Sequence, residues 1–228
     1  MTHETALPGR LIALEGPDGA GKSTQVRLLE RWLAGLGCKV FLTEWNSSEL
    51  VKETTRRGKR KQLLTPTTFS LIHATDFASR YERQILPMLK SGHLVLCDRY
   101  IYTSFARDVV RGCDIEWVRN LYGFAKEPDL TFLIRLPLET AVQRVNRGNR
   151  KLKFFEAGMD LGLSPDPQEC FRLFQGRVQE QYGKLASLFP FVAVDGSLDV
   201  PAQQALIRGQ VMEKIELSLF RRKAQASR

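Results

Sequence analysis

The chain has 228 residues, 43% of them apolar, which is enough to bury a core without disulfides or a metal. Lys and Arg outnumber the acids 34 to 25, a formal net charge of +9 that suits an anionic partner yet fits a solvated basic surface equally well. Cys38, Cys97, Cys113 and Cys170 lack metal-site spacing, only three His occur, and no apolar run approaches the about 20 residues of a membrane span, so zinc and membrane insertion are both disfavoured.

The first residues have no apolar signal core, so residues 1–9 are expected to form a flexible leader of a reduced, cytoplasmic protein. Leu11-Ile12-Ala13-Leu14 reads as a first strand, followed by a Gly-rich loop. A helix is predicted over 22–36, because Val26, Leu29, Leu33 and Leu36 recur at helical spacing before Gly35 and Gly37 stop it. Residues 39–43 read as a second strand. The stretch 44–61 is polar and strongly charged and is expected at the surface. A long helix is predicted over 67–91 and a third strand ending at Asp98. Two helical segments (103–111 and 115–125), a fourth strand (130–136) and a helix (138–147) follow. Glycines, two prolines and a cluster of bases make 147–167 read as a mobile lid. A helix over 167–188, a fifth strand at 191–194, a last helix and a basic tail at 221–228 complete the chain. Strands alternating with helices argue an α/β domain over 10–220 around a five-stranded parallel sheet, with the lid as an insertion.

Three constellations carry chemistry. Gly16-Pro17-Asp18-Gly19-Ala20-Gly21-Lys22-Ser23, followed by Thr24, fits the P-loop pattern and lies between a strand and a helix. Glycines let the backbone curl several N–H groups around one anion, and the helix N-terminus adds partial positive charge. Lys22 is placed to reach the β and γ phosphates of ATP and Ser23 to hold Mg²⁺. The second is Asp98-Arg99-Tyr100 at the C-terminal end of an apolar strand, the sheet edge where such folds bind ligands. Asp98 is a candidate holder of magnesium-bound water, as is Glu15, and Arg99 is a candidate phosphate clamp. The third is the cluster Arg144, Arg147, Arg150, Lys151 and Lys153. Phosphoryl transfer spreads charge over the transferring oxygens, and a mobile cation can close over them; a plain solvated basic loop is the alternative.

At these residues the chain resembles the thymidylate kinase family of nucleoside monophosphate kinases. The stretch from Glu15 to Gln25, Asp98-Arg99-Tyr100 with Ser104, Pro128-Asp129-Leu130-Thr131, and Val194-Asp195-Gly196-Ser197 are similar to that family's motifs. The resemblance implies a P-loop kinase fold, ATP as donor, Mg²⁺, a nucleoside monophosphate acceptor with dTMP first, and a homodimer. It places Asp18 near magnesium and the acceptor, and Arg99 with Tyr100 near the acceptor phosphate. The P-loop has no Arg, so the resemblance assigns the transition-state cation to the lid, with Arg150 the first candidate and Arg144 on ATP.

The acceptor half departs from the family pattern. Where that pattern has an aromatic residue and an Arg four positions on, this chain has His73 and Phe77. Glu44-Trp45-Asn46 replaces an Arg and a Pro, and the segment Phe154 to Asp160 is unusual for the lid. His73, Phe77 and Arg80 share a helix face, which leaves two readings open: a ring and cation displaced by one turn, with Phe77 on the base and Arg80 on its phosphate, or Phe77 in the core and Arg80 in a surface ion pair with Glu82, Glu53 or another acid. Arg99, Arg107 and Arg111 remain as other cations for the acceptor. Two rival readings stay open: a kinase of another small phosphate acceptor, and a nucleotide-binding regulator without transfer activity. A nucleic-acid ATPase is disfavoured, because no basic stripe interleaved with aromatics occurs.

Overall fold

The computed structural model describes residues 7–45, 48–147 and 151–222. Five strands, β1 (Arg10–Glu15), β2 (Val40–Glu44), β3 (Leu94–Asp98), β4 (Leu130–Arg135) and β5 (Phe191–Asp195), form one sheet in the order β2-β3-β1-β4-β5. Every neighbouring pair is parallel. A parallel sheet covered on both faces needs strands that are apolar on both sides, and β1 and β3 are near-continuous apolar runs for that reason.

The period of two along β1 divides the core. Leu11 and Ala13 pack with Phe77, Tyr100 and Phe174 on one face. Ile12 and Leu14 pack with Val26, Leu29 and Ile207 on the other. The second face is covered by α1 (Lys22–Gly35) and, near the C-terminus, by the helix Val200–Lys214. Cys38, Cys97 and Cys170 are buried, Cys38 and Cys97 as small core side chains, as the sequence suggests.

The polar stretch after β2 is not irregular. It contains the helix α2 (Lys52–Arg60), which sequence periodicity missed because it has no apolar stripe. Its anchor is Gly58, where a Cβ would meet the Leu64 side chain at 2.8 Å. The long helix expected over 67–91 is present in three pieces. α3 (Pro66–Arg80) is capped by Thr65, whose side chain accepts from Thr68 N–H, and starts on Pro66. A π-helical turn (Tyr81–Ile85) carries it into α4 (Leu86–Lys90). Pro87 has no N–H for the carbonyl one turn earlier, which explains the widened turn there.

α5 (Ile101–Val110), α6 (Ile115–Leu121), α7 (Leu138–Arg147), α8 (Pro167–Leu188) and α9 (Val200–Lys214) complete the fold. Residues 151–166 fall within the expected lid. Phe155 and Ala157 are buried, and a Cβ on Gly158 would lie 2.7 Å from Phe174, so this segment packs tightly on α8. The leader and tail expectations are too loose at their inner ends. Gly9 donates to Leu89 O at 2.9 Å, and Arg222 N–H donates to Gly37 O at 2.8 Å. Their outer parts, 1–6 and 223–228, lie outside the described residues. Among the described residues no helix is long and apolar enough to cross a membrane.

Candidate active site

Parallel register brings the ends of β1, β2 and β3 together. Leu14 pairs with Asp98, and Glu44 also pairs with Asp98, so the loop after β1 opens directly beside the Asp98 carboxylate. The P-loop then requires its glycines. Gly16 and Gly19 have φ of 139° and 81°, and a Cβ on either would lie 2.5 Å from a carbonyl oxygen, of Ile134 or Ala141. The curled backbone lines a cavity of about 320 Å³ with Gly19, Gly21, Lys22, Ser23, Thr24 and Asp98. Gly16, Pro17 and Ala20 build its curve without appearing on that wall.

Lys22 Nζ donates to Pro17 O at 2.6 Å, which leaves two of its three protons for a ligand. Burial, with the neighbouring Arg99 charge, pushes the Lys22 ammonium down to about 7. A site that lowers a lysine in this way is short of negative charge. Ser23 Oγ donates to Asp98 Oδ2, so hydroxyl and carboxylate converge as hard oxygen donors on the cavity wall. Glu15 does not join them. Its carboxylate is fully buried and accepts from Tyr100 N–H, Thr103 N–H, the Thr103 hydroxyl and the Tyr182 hydroxyl. Glu15 therefore ties β1 to α5 and α8 instead of facing a metal.

Arg99 sits at φ 71°, a left-handed conformation that a non-glycine residue adopts only when its surroundings hold it. Its N–H is bound to Leu14 O at 3.0 Å and its Nη1 to Gly16 O at 3.2 Å. The strained turn aims its guanidinium back at the P-loop, where Nη2 donates to Asp18 Oδ1. Arg107 Nη2 donates to the other oxygen, Asp18 Oδ2, at 2.5 Å, and Gln175 Nε2 joins it at 3.1 Å. Burial alone would raise the Asp18 carboxyl, but the Arg107, Arg99 and Lys22 charges hold it far below the usual carboxylate range. The result is one carboxylate orienting two arginines at the mouth of the P-loop. Arg107, which the sequence left among the other cations, shares this carboxylate with Arg99; its only signal was a position on the helix that begins just after Arg99.

Asp18 also lines a second cavity of about 980 Å³. Its walls come from Trp45, α2, the Phe69–His73–Asp76 face of α3, Thr103 to Asp108 of α5, and residues 151–156. The two cavities share Asp18, Trp45 and Glu156. His73 is on the wall. It donates through Nδ1 to Phe69 O at 2.7 Å, so Nε2 must accept, from Lys59 Nζ at 3.0 Å. Burial, reinforced by Lys59, drives the His73 imidazole well below its usual value and keeps it neutral.

Neither residue of the displaced ring and cation lines the cavity. Phe77 is 1% exposed and packs in the core against Tyr81, Tyr100 and Tyr122, with no part of the cavity wall. Burying a ring of that size is worth roughly 1.5–3 kcal/mol, which outweighs presenting it to a ligand. Arg80 is also 1% exposed. Its Nη1 donates to Glu44 O at 2.6 Å, and its guanidinium lies against the Trp45 and Phe77 rings. Tyr100 is buried as well, with its hydroxyl donated to Lys126 O at 2.9 Å, and it lines neither cavity. Arg111, another candidate, is held by Asp160 and by Phe155 O, which pins segment 151–166 to α5. Arg144 is exposed on α7 and lines neither cavity. Lys151 and Lys153 line the larger cavity, and Arg150 lies outside the described residues.

Known proteins resemble this chain over most of its length. The family model described as thymidylate kinase matches residues 14–161, more than half of the chain. The chain is 49% identical over 214 residues to a probable thymidylate kinase 2 of Saccharolobus solfataricus, covering 93% of this chain and 100% of that one. It is 34% identical over 195 residues to a probable thymidylate kinase of Thermococcus gammatolerans, covering 82% and 87%. It is 32% identical over 212 residues to a thymidylate kinase of Nostoc punctiforme, covering 89% and 95%. With a P-loop beside a carboxylate-held pair of arginines, and relatives matched over nearly their full length, the chain belongs to the thymidylate kinase family.

Proposed function

We propose that this chain transfers the γ-phosphoryl group of ATP to the phosphate of dTMP, giving ADP and dTDP. The observation that carries the reading is the junction at Asp18, where the P-loop cavity meets the larger one and Arg99 and Arg107 are aimed by a single carboxylate. A donor phosphate chain in the smaller cavity and an acceptor phosphate on those arginines would face each other across this junction. That is the geometry in-line transfer needs.

Lys22 supplies two N–H donors to the β and γ oxygens, and the P-loop amides supply the rest. Asp18 keeps Arg99 and Arg107 pointed at the acceptor, where their charges offset the repulsion between the two anions. Ser23 and Asp98 are the residues that would hold Mg²⁺, and their paired hard oxygens suit it. When bound, Mg²⁺ neutralises charge on the phosphate oxygens. Arg150 is proposed as the lid cation over the transferring group, because the P-loop has no Arg. Arg144, exposed on α7, is kept as a proposed contact for ATP. The family resemblance further suggests a homodimer, which light scattering on the purified chain tests.

A second reading has one observation in its favour. His73 and the core position of Phe77 give this acceptor cavity a wall unlike the family pattern, which suits a different phosphate acceptor. One experiment separates the two. ADP release with ATP and Mg²⁺ is measured against each common nucleoside and deoxynucleoside monophosphate. Turnover highest with dTMP supports the first reading, and turnover highest with another acceptor supports the second. No turnover with any of them rejects transfer to nucleoside monophosphates.

A further inference from the structure

The wall of the acceptor cavity made by α2 has no counterpart in the motifs that identify the chain. Lys52, Arg56, Lys59 and Arg60 fall on one helical face and all line the cavity. Most of these are exposed, but Lys59 is drawn inward. It lies over the Phe69 ring at 5.2 Å and gives one proton to His73 Nε2. Among the described residues no carboxylate lies within ion-pair distance of it. A half-buried ammonium on a neutral partner has two protons still to place.

One turn earlier, Thr55 Oγ1 is buried and has no hydrogen-bond partner, although it borders the same cavity. Helical Thr hydroxyls ordinarily bond back to the carbonyl one turn before, as Thr75 does to Leu71 O at 2.9 Å. A buried hydroxyl left open costs about 1–3 kcal/mol, so its position calls for a ligand atom. Lys59, Thr55 and His73 line the acceptor cavity from α2 and α3, and none of them bonds to Asp18, which holds Arg99 and Arg107. With the acceptor phosphate on those arginines, as the proposed function has it, the base is the part of the acceptor left to meet this wall.

We infer that Lys59, with Thr55 beside it, reads a keto oxygen of the acceptor's base, and that His73 holds Lys59 in place for it. An ammonium can only donate, so it accepts a keto group as partner and rejects an amino group at the same position. Thymine and uracil present a keto oxygen where cytosine presents an amine. This rests on the reading of the chain as a nucleoside monophosphate kinase and names the residues that select the base.

The test is equilibrium titration of the full chain with dTMP, dUMP and dCMP, using the wild type, Lys59→Met, Lys59→Arg and Thr55→Val. The wild type is expected to bind dTMP and dUMP more tightly than dCMP. Lys59→Met is expected to weaken dTMP about tenfold and bring it level with dCMP. Lys59→Arg keeps a donor and most of the preference, and Thr55→Val loses about threefold. ATP binding by each variant stays at the wild-type level and reports an intact fold. Should Lys59→Met fail that check, Lys59→Gln is judged by the same dTMP-to-dCMP ratio. Unchanged dTMP binding in the neutral variant overturns the inference, as does an equal loss for all three nucleotides or a wild type that binds none of them. A wild type that binds dTMP with this preference but never turns it over rejects the kinase reading and leaves the base-reading role standing.

Discussion

The donor and acceptor cavities meet at Asp18 but are built in different ways. Half of the donor wall comes from one run of chain, Asp18 to Thr24, and the rest from Glu44 and Trp45, Asp98 and Arg99, Val145 and Glu156. The acceptor wall is made of side chains from α2, α3, α5 and the segment 151–156, which are distant in sequence. A backbone cradle depends on glycines at fixed spacing, so it tolerates little variation. A wall of side chains can exchange one residue for another on a different helix. Here α2 brings Lys52, Arg56, Lys59 and Arg60 to that wall.

The largest effect is expected on the donor side. Lys22→Ala removes the side chain that bridges β and γ oxygens and should lower turnover about a thousandfold while the chain stays folded. Steady-state kinetics with a thermal melt check both parts, and a variant with wild-type turnover would break the donor assignment. The same lysine predicts a proton linkage. Its ammonium is lowered to about 7 in the free protein, so it is largely neutral at pH 8 and an arriving triphosphate restores its charge. ATP binding should take up close to one proton at pH 8 and little at pH 5.5, read by calorimetry in buffers of different ionisation enthalpy.

Next is the junction. Asp18→Asn keeps the shape but removes the charge between Arg99 and Arg107. Two partly buried guanidinium groups would then repel each other and lose their aim, and turnover should fall about a hundredfold. Arg107→Ala is narrower. It should raise the acceptor KM about tenfold, a loss of about 1.4 kcal/mol, and leave the ATP KM within about twofold. Equal losses for both substrates would show that Arg107 belongs to neither side alone.

The same contrast explains what the sequence could convey. The five strands, their parallel order and the P-loop were legible because apolar runs and glycine spacing are local signals. The helix α2 was not, because its polar residues have no apolar period and its purpose is the cavity it faces. The face shared by His73, Phe77 and Arg80 was read correctly as a face, but periodicity does not say which residues on it meet solvent. The π-helical turn and the tight packing of Phe155 and Ala157 depend on contacts across the fold, which no local pattern encodes. Arg99 was legible as a charge after a strand; the left-handed turn that aims it was not.

The smallest effect is expected at Arg80, and the reason lies in opposing contributions. Its guanidinium donates one hydrogen bond to Glu44 O and rests on Trp45 and Phe77. A hydrogen bond from a charged donor contributes about 1.5–3 kcal/mol, and each cation–π contact about 0.5–1 kcal/mol or more when buried. Against this, Nε and Nη2 are buried with no partner, and each such donor costs about 1–3 kcal/mol. Arg80→Met fills similar space, keeps contact with both rings and removes the open donors together with the charge. The terms nearly cancel, so stability should change by no more than about 1 kcal/mol in either direction by denaturant melt. The acceptor KM should stay within about twofold, because Arg80 supports Trp45 from behind and does not line the cavity. A tenfold rise in acceptor KM with unchanged stability would return Arg80 to the acceptor site and require the Trp45 side chain to move aside when the acceptor binds.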